Sequence, residues 1–127
     1  MISEVPLFAG LSKRELTRVA SIADEIDFRA GKVLIREGER GREFFILIAG
    51  TAEVRRAGKL LATPTAGDFF GEIALVSKLA RVATLTTTSE VRALVMNERD
   101  FHALLRQSPQ IALKVLEAVA CRLPTDI

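Results

Sequence analysis

The residues able to do chemistry in this chain are concentrated between Gly67 and Leu85, where the sequence runs GDFFGEIALVSKLARVATL. The stretch is mostly apolar but carries Asp68, Glu72, Lys78 and Arg81. Asp68 falls in a Gly-Asp turn and Lys78 in a loop, where both reach water. Glu72 and Arg81 are set among apolar neighbours, and burying either charge unpaired is expensive. If Gly71-Glu72-Ile73-Ala74 makes one helical turn, its free amides form an anion site, and Gly71 lets a ligand approach the backbone closely. Arg81 supplies a planar, permanently charged fork for the same anion. A carboxylate at Glu72 repels a phosphate at contact but accepts hydrogen bonds from sugar hydroxyls held beside one. Together these groups suit a ribose phosphate with a free hydroxyl. A Glu and an Arg nine residues apart also fit a plain structural ion pair, and the residue types alone leave both readings open.

The flanking sequence must position this stretch. Ser12 and Glu15 form a capping box, with Leu11 and Leu16 placed as a hydrophobic staple. Leu16, Val19, Ala20, Ala23 and Ile26 then repeat at helical spacing, which predicts a helix over about 12–26. Val5, Pro6, Leu7 and Phe8 read as an apolar lead-in to the same core. From Phe28 to Met96 the period becomes that of strands, expected at 32–36, 44–48, 52–56, 60–63, 82–88 and 91–96. Gly-containing turns at Ala30-Gly31, Glu37-Gly38-Glu39, Ala49-Gly50 and Ala57-Gly58 separate them. Many short strands without a crossover helix point to a sandwich, jelly roll or small barrel rather than a parallel α/β sheet. Asn97 is a helix cap for about 97–107, and Ser108-Pro109 starts a last helix to about 123, stopped by Pro124. Ile111, Leu113, Val115, Leu116, Ala118 and Val119 give that helix its apolar character, a candidate dimer contact as well as core.

The totals exclude several classes. The chain has 127 residues, room for a single domain over 1–127 with one core. A formal net charge of +2 from 18 basic and 16 acidic residues is not the footprint of a nucleic-acid binder. Arg55, Arg56 and Lys59 cluster around Gly58 and read as a solvated hairpin turn. The lone Cys121, in an apolar helical stretch, excludes an internal disulfide and reads as a buried thiol. The first eleven residues lack a signal-peptide layout, and the run from Phe44 to Ala49 is too short to span a bilayer, so a cytoplasmic location is expected. The lone His102 cannot build a metal site, no Ser–His–acid set can be assembled, and no enzyme is read here.

The Gly67–Leu85 stretch resembles the phosphate-binding cassette of the cyclic-nucleotide-binding domain family, patterned F-G-E-(aliphatic)-A-L, a short loop, then P-R-x-A-T-(aliphatic). Phe70-Gly71-Glu72-Ile73-Ala74-Leu75 matches the first half, and Arg81, Ala83, Thr84 and Leu85 the second. Residues 31–39, 45–54 and Asp100-Phe101 with Leu104-Leu105 and Pro109 extend the similarity over nearly the whole chain. The family includes catabolite activators and protein kinase A regulatory subunits. The resemblance implies a mainly β fold with flanking helices: an eight-stranded antiparallel β-roll (jelly roll), an N-terminal helix and two C-terminal helices. It also implies a ligand set. Glu72 would take the ribose 2′-hydroxyl and Arg81 the cyclic phosphate, with backbone amides of Gly71, Ile73, Ala74 and Ala83 around them. In the family the last helix swings over the base, here from about Ile111 to Leu123, and Phe69 and Phe70 flank the cassette, where one of them would help move the last helices.

Two positions depart from the pattern. Ala80 replaces the usual Pro, and Val82 lacks the hydroxyl that cyclic-GMP-selective members place there, which favours cyclic AMP over cyclic GMP. No other cofactor is expected. The expected partners are the nucleotide and an effector domain or protein, with neither nucleic acid nor membrane contacted directly. The rival readings are the sensor half of a transcription factor or channel, and a roll that binds no nucleotide and serves as an interaction module.

Overall fold

The run from Phe44 to Ile48 is too continuously apolar for a strand with one wet face, and a strand buried on both faces accounts for it. The computed structural model, which describes residues 5–71 and 81–122, shows that arrangement. A 3-10 turn at Pro6–Phe8 precedes helix α1 (Lys13–Ile22). Eight strands follow: β1 (Asp24–Phe28), β2 (Val33–Ile35), β3 (Glu43–Ala49), β4 (Ala52–Arg56), β5 (Lys59–Ala62), β6 (Phe69–Phe70), β7 (Thr84–Thr87) and β8 (Val91–Asn97). Helices α2 (Glu98–Gln107) and α3 (Pro109–Arg122) close the described chain. The strands form two antiparallel sheets, β1-β8-β3-β6 and β2-β7-β4-β5. This is the mainly β roll with flanking helices that the sequence led us to expect.

Side chains alternate across the first sheet and divide the core in two. Phe44, Ile46, Leu94 and Met96 face the helices, where they meet Leu7, Phe8, Val19, Phe101, Leu104, Ile111 and Val115. Phe45, Leu47, Val91 and Ala93 face the second sheet and meet Ile35, Ala52 and Leu85 inside the roll. Phe101 of α2 is fully buried and stacks on Phe44 with ring centroids 4.5 Å apart. Burying an aromatic ring of this size contributes roughly 2–3 kcal/mol.

Local signals set the helix ends. Ser12 Oγ accepts from the Glu15 amide and Glu15 Oε1 from the Ser12 amide, completing the capping box. Asn97 Oδ1 accepts from the Asp100 amide at 2.8 Å. Lys114 of α3 donates through Nζ to the carbonyls of Pro6 (2.8 Å), Ala9 (3.2 Å) and Leu7 (3.4 Å). One ammonium thus ties the last helix to the N-terminal turn, sharing the Pro6 carbonyl with the Ala9 amide and meeting those of Leu7 and Ala9 near the turn's end.

Several expectations need correction. Helix α1 stops at Ile22 and does not reach Ile26, because residues 24–28 pair along β8 from Asp24↔Val95 to Phe28↔Val91. Ile26 suits a helical period from Ala23 equally well as the alternation Asp24, Ile26, Phe28, and the β8 ladder decides between them. Arg92 of β8 bonds Asp27 at 2.9 Å and lies 3.6 Å from Glu25, fastening this edge. Its hydrogen bond holds the Asp27 carboxyl below the ordinary carboxylate range. The strand expected at 82–88 is confined to Thr84–Thr87, and the two-residue β6 was not foreseen. Leu113 and Leu116 stand 57% and 63% exposed, turned away from the core that Ile111 and Val115 enter. The Cys121 side chain, the Pro124 stop and residues 72–80 lie outside the described residues.

Gly50 supplies a stability test. Its φ is +97°, and a Cβ there would run into the Glu90 carbonyl and the Val91 side chain. Gly50→Ala is expected to lower the unfolding free energy by about 3 kcal/mol, left-handed strain adding to overpacking. Urea unfolding checks this, and a loss below about 1 kcal/mol contradicts the described turn.

Candidate functional site

Two backbone bonds fix Arg81 before its side chain does anything. Its amide donates to the Glu39 carbonyl at 2.8 Å, and its carbonyl accepts from the Gly38 amide at 2.9 Å. The main chain is thereby held against the turn between β2 and β3. From there the side chain runs inward and is only 7% exposed. Nη1 donates to the Gly71 carbonyl at 3.0 Å and Nη2 to the Glu43 carbonyl at 2.6 Å. Both are charge-assisted bonds, which orient the planar fork as well as partly offsetting its desolvation.

Gly71 is shaped by the same contact. Its φ is +101°, and an added Cβ would lie 2.6 Å from both Arg81 Nη1 and the Glu43 carbonyl oxygen. From sequence, the missing side chain was assigned to a ligand's close approach. In the structure the space beside Gly71 is taken by the guanidinium and the β3 backbone.

Arg81 borders a cavity of about 480 Å³ that opens at the edge of the roll. That volume is within the usual range of small-molecule sites. Phe70, Gly71, Val82 and Ala83 line it with Arg81, so five of the sequence-derived site residues come together there. The other three, Glu72, Ile73 and Ala74, lie outside the described residues. Phe70 arrives on β6, paired with Phe45 of β3. Val82 is 36% exposed and stands ahead of β7. Thr84 opens β7, and its Oγ1 accepts from the Glu37 amide at 3.0 Å, tying the cavity wall to the β2–β3 turn.

A neighbouring wall from β4 and β5 was not foreseen. Val54 and Arg56 of β4, Leu61 of β5 and Pro64 also line the cavity. The signal was the two-residue period of β4, which puts Ala52, Val54 and Arg56 on one face. Arg55 points the other way, bonded to Glu53 at 2.9 Å and to the Gly58 carbonyl at 3.1 Å. Both arginines are exposed, in keeping with the solvated turn expected of them, and Arg56 also borders the cavity. Asp68 is at the rim, its Oδ2 accepting from the Thr65 amide at 2.9 Å. His102 does not border the cavity; its Nε2 lies 3.8 Å from Glu98 Oε1 on α2. Among the described residues no cluster of three His, Cys, Asp or Glu side chains is placed to hold a metal ion. No described helix is long and apolar enough to cross a membrane.

The close fit between Gly71 and Arg81 predicts strong coupling. Gly71→Ala is expected to destabilise the native chain by about 2–3 kcal/mol, and by at least about 1 kcal/mol less when Arg81 is already Ala. A double-mutant cycle in urea reads this directly; additivity within about 0.5 kcal/mol contradicts the contact.

Comparison with known proteins follows the same residues. The chain is 32% identical over 106 residues to the cAMP-dependent protein kinase regulatory subunit of Schizosaccharomyces pombe, an overlap covering 83% of this chain and 26% of that protein. It spans about a quarter of the length of the curated relatives it matches first. Among solved structures, a cAMP-bound PfPKA-R is 30% identical, with a TM-score of 0.78 over 98% of this chain and 46% of that one. The Catabolite Activator Protein of Thermus thermophilus is 27% identical, with a TM-score of 0.79 over 92% of this chain and 57% of that one. Residues 25–108, which run from β1 to the end of α2 and include the cavity walls, match the cyclic nucleotide-binding domain, and the chain belongs to that family.

Proposed function

We propose that the chain, a single domain over 1–127, is a regulatory module that binds cyclic AMP in preference to cyclic GMP and passes the event to its C-terminal helices. The observation that carries the reading is Arg81, a buried guanidinium held by two carbonyls at the wall of a ligand-sized cavity. A fork held in this way is oriented before any anion arrives, so less ordering entropy is lost on binding. In this reading the cyclic phosphate meets Arg81 and the amides around Gly71, Ile73, Ala74 and Ala83. Glu72 takes the ribose hydroxyl, and the purine lies toward Val82 and the β4–β5 wall. Val82 offers no hydroxyl to a guanine, and a relative of 30% identity carries cyclic AMP; both favour adenine.

Phe70 and Phe69 support the link to the helices. Consecutive strand residues face opposite sides, and β6 uses this to join two environments. Phe70 lines the cavity. Phe69 turns to the helix side, its ring 5.6 Å from Phe44, which stacks on Phe101 of α2. A ligand that moves β6 therefore presses on the seat of α2. It can shift the helices only by its differential affinity for their two arrangements. The effector would be a fused domain, a separate protein or a second copy meeting the exposed Leu113 and Leu116, with a regulatory and not a catalytic role, in the cytoplasm.

Calorimetric titration of the purified chain tests the reading. Cyclic AMP is expected to bind more tightly than cyclic GMP, and Arg81→Lys to weaken both by about tenfold or more, because Lys cannot reproduce the fork. A folded chain that gives no heat with either nucleotide rejects the reading. It would favour a nucleotide-free interaction module, the alternative that the bulk of Val82 supports.

A further inference from the structure

The cavity has a second cation that the reading above leaves without a task. Arg56 ends β4, is exposed, and lines the cavity on the same strand face as Val54. Among the described residues it has no ion pair and no side-chain hydrogen bond, whereas its neighbour Arg55 is bonded to Glu53 and Gly58. The ladder between β4 and β7 runs Glu53↔Thr86, Val54↔Leu85, Arg55↔Thr84. Continued by one residue, this register sets Arg56 beside Ala83 and next to Val82. Across β5 the register skips Leu61, pairing Val54 with Ala62 and Arg55 with Leu60, so Leu61 bulges from the ladder at the cavity wall.

These positions divide the cavity by chemistry. A cyclic monophosphate carries one negative charge, and the buried Arg81 is already placed to meet it. The wall from β4 and β5, with Val54 and Leu61, is apolar and suits the faces of a flat ring. At the exposed rim of that wall a guanidinium meets the ring's edge. A purine edge offers such a fork two acceptors, N7 and O6, when the base is guanine. Adenine offers N7 alone, beside an amino donor that repels the fork.

We propose that Arg56 is a purine-reading residue that donates to N7 and O6 of a 6-oxopurine, and so narrows the preference for cyclic AMP that Val82 gives. This rests on the cyclic-nucleotide reading of the same cavity. Among the described residues Arg56 has no ion pair or side-chain hydrogen bond for a substitution to break, so the fold is expected to survive its replacement. The role differs from that of Arg81, which meets the phosphate and does not distinguish one base from another.

The experiment is calorimetric titration of the full chain and of Arg56→Ala and Arg56→Lys with cyclic AMP, cyclic GMP and cyclic IMP. Cyclic IMP carries O6 and N7 without the guanine amino group. Arg56→Ala is expected to weaken cyclic GMP and cyclic IMP by about tenfold, and cyclic AMP by less than about threefold. Arg56→Lys, which keeps the charge without the bidentate fork, is expected to leave that selective loss largely in place. An equal loss for all three ligands, restored by Lys, would show a charge acting on the phosphate and overturn the proposal. So would the absence of any loss in a variant whose urea midpoint is unchanged. If the unsubstituted chain binds none of the three, the cyclic-nucleotide reading itself falls and this inference with it. Binding without a selective loss removes only the inference.

Discussion

The middles of β3 and β8 are buried on both faces of the sheet β1-β8-β3-β6, and the molecule's other features depend on that constraint. From Phe44 to Leu47 β3 has no wet side, so it must be apolar there, and its alternating side chains serve two cores at once. Phe44 and Ile46 belong to the helices, while Phe45 and Leu47 belong to the roll. A close-packed strand cannot shift on one face without being felt on the other. Only a single layer of backbone therefore separates the roll's interior from the core under the terminal helices. Closest to the cavity that layer is the short strand β6, whose two residues face one each way.

Arg81 brings charge into this apolar frame, and backbone carbonyls meet the ends of its fork. Backbone carbonyls from β3 and from Gly71 receive Nη1 and Nη2. This choice has a chemical consequence. The two carbonyls fix the plane and direction of the fork, which a single flexible ammonium could not hold in the same way. The glycine at position 71 follows from the same geometry, since its missing side chain makes room for the guanidinium. The guanidinium is thus seated by strand and turn backbone, and Arg81 is pinned at its own main chain by Gly38 and Glu39.

Much of this was legible in the sequence, for identifiable reasons. Caps declare themselves locally, so Ser12, Glu15 and Asn97 were read with the bonds they make. The two-faced burial of β3 was legible as an unbroken apolar run. Segments with two valid periods were not. Ile26 satisfies both a helix and a strand, and pairing with a strand sixty-odd residues away decides the matter. Nor does sequence distinguish Ile111 from Leu113, since both are apolar and only packing selects the buried one. The partners of Arg81 were hidden for a different reason: a backbone carbonyl leaves no trace in residue type. Arg56 was hidden by its neighbours, because three basic residues beside a turn read as solvated whichever of them faces inward.

A crystal structure of the chain with cyclic AMP tests the central claim most directly. The account predicts the cyclic phosphate within hydrogen-bonding distance of the Arg81 guanidinium, which keeps its bonds to the Gly71 and Glu43 carbonyls, with the purine against Val54 and Leu61. A nucleotide bound outside this cavity, or inside it without contact to Arg81, would contradict the account.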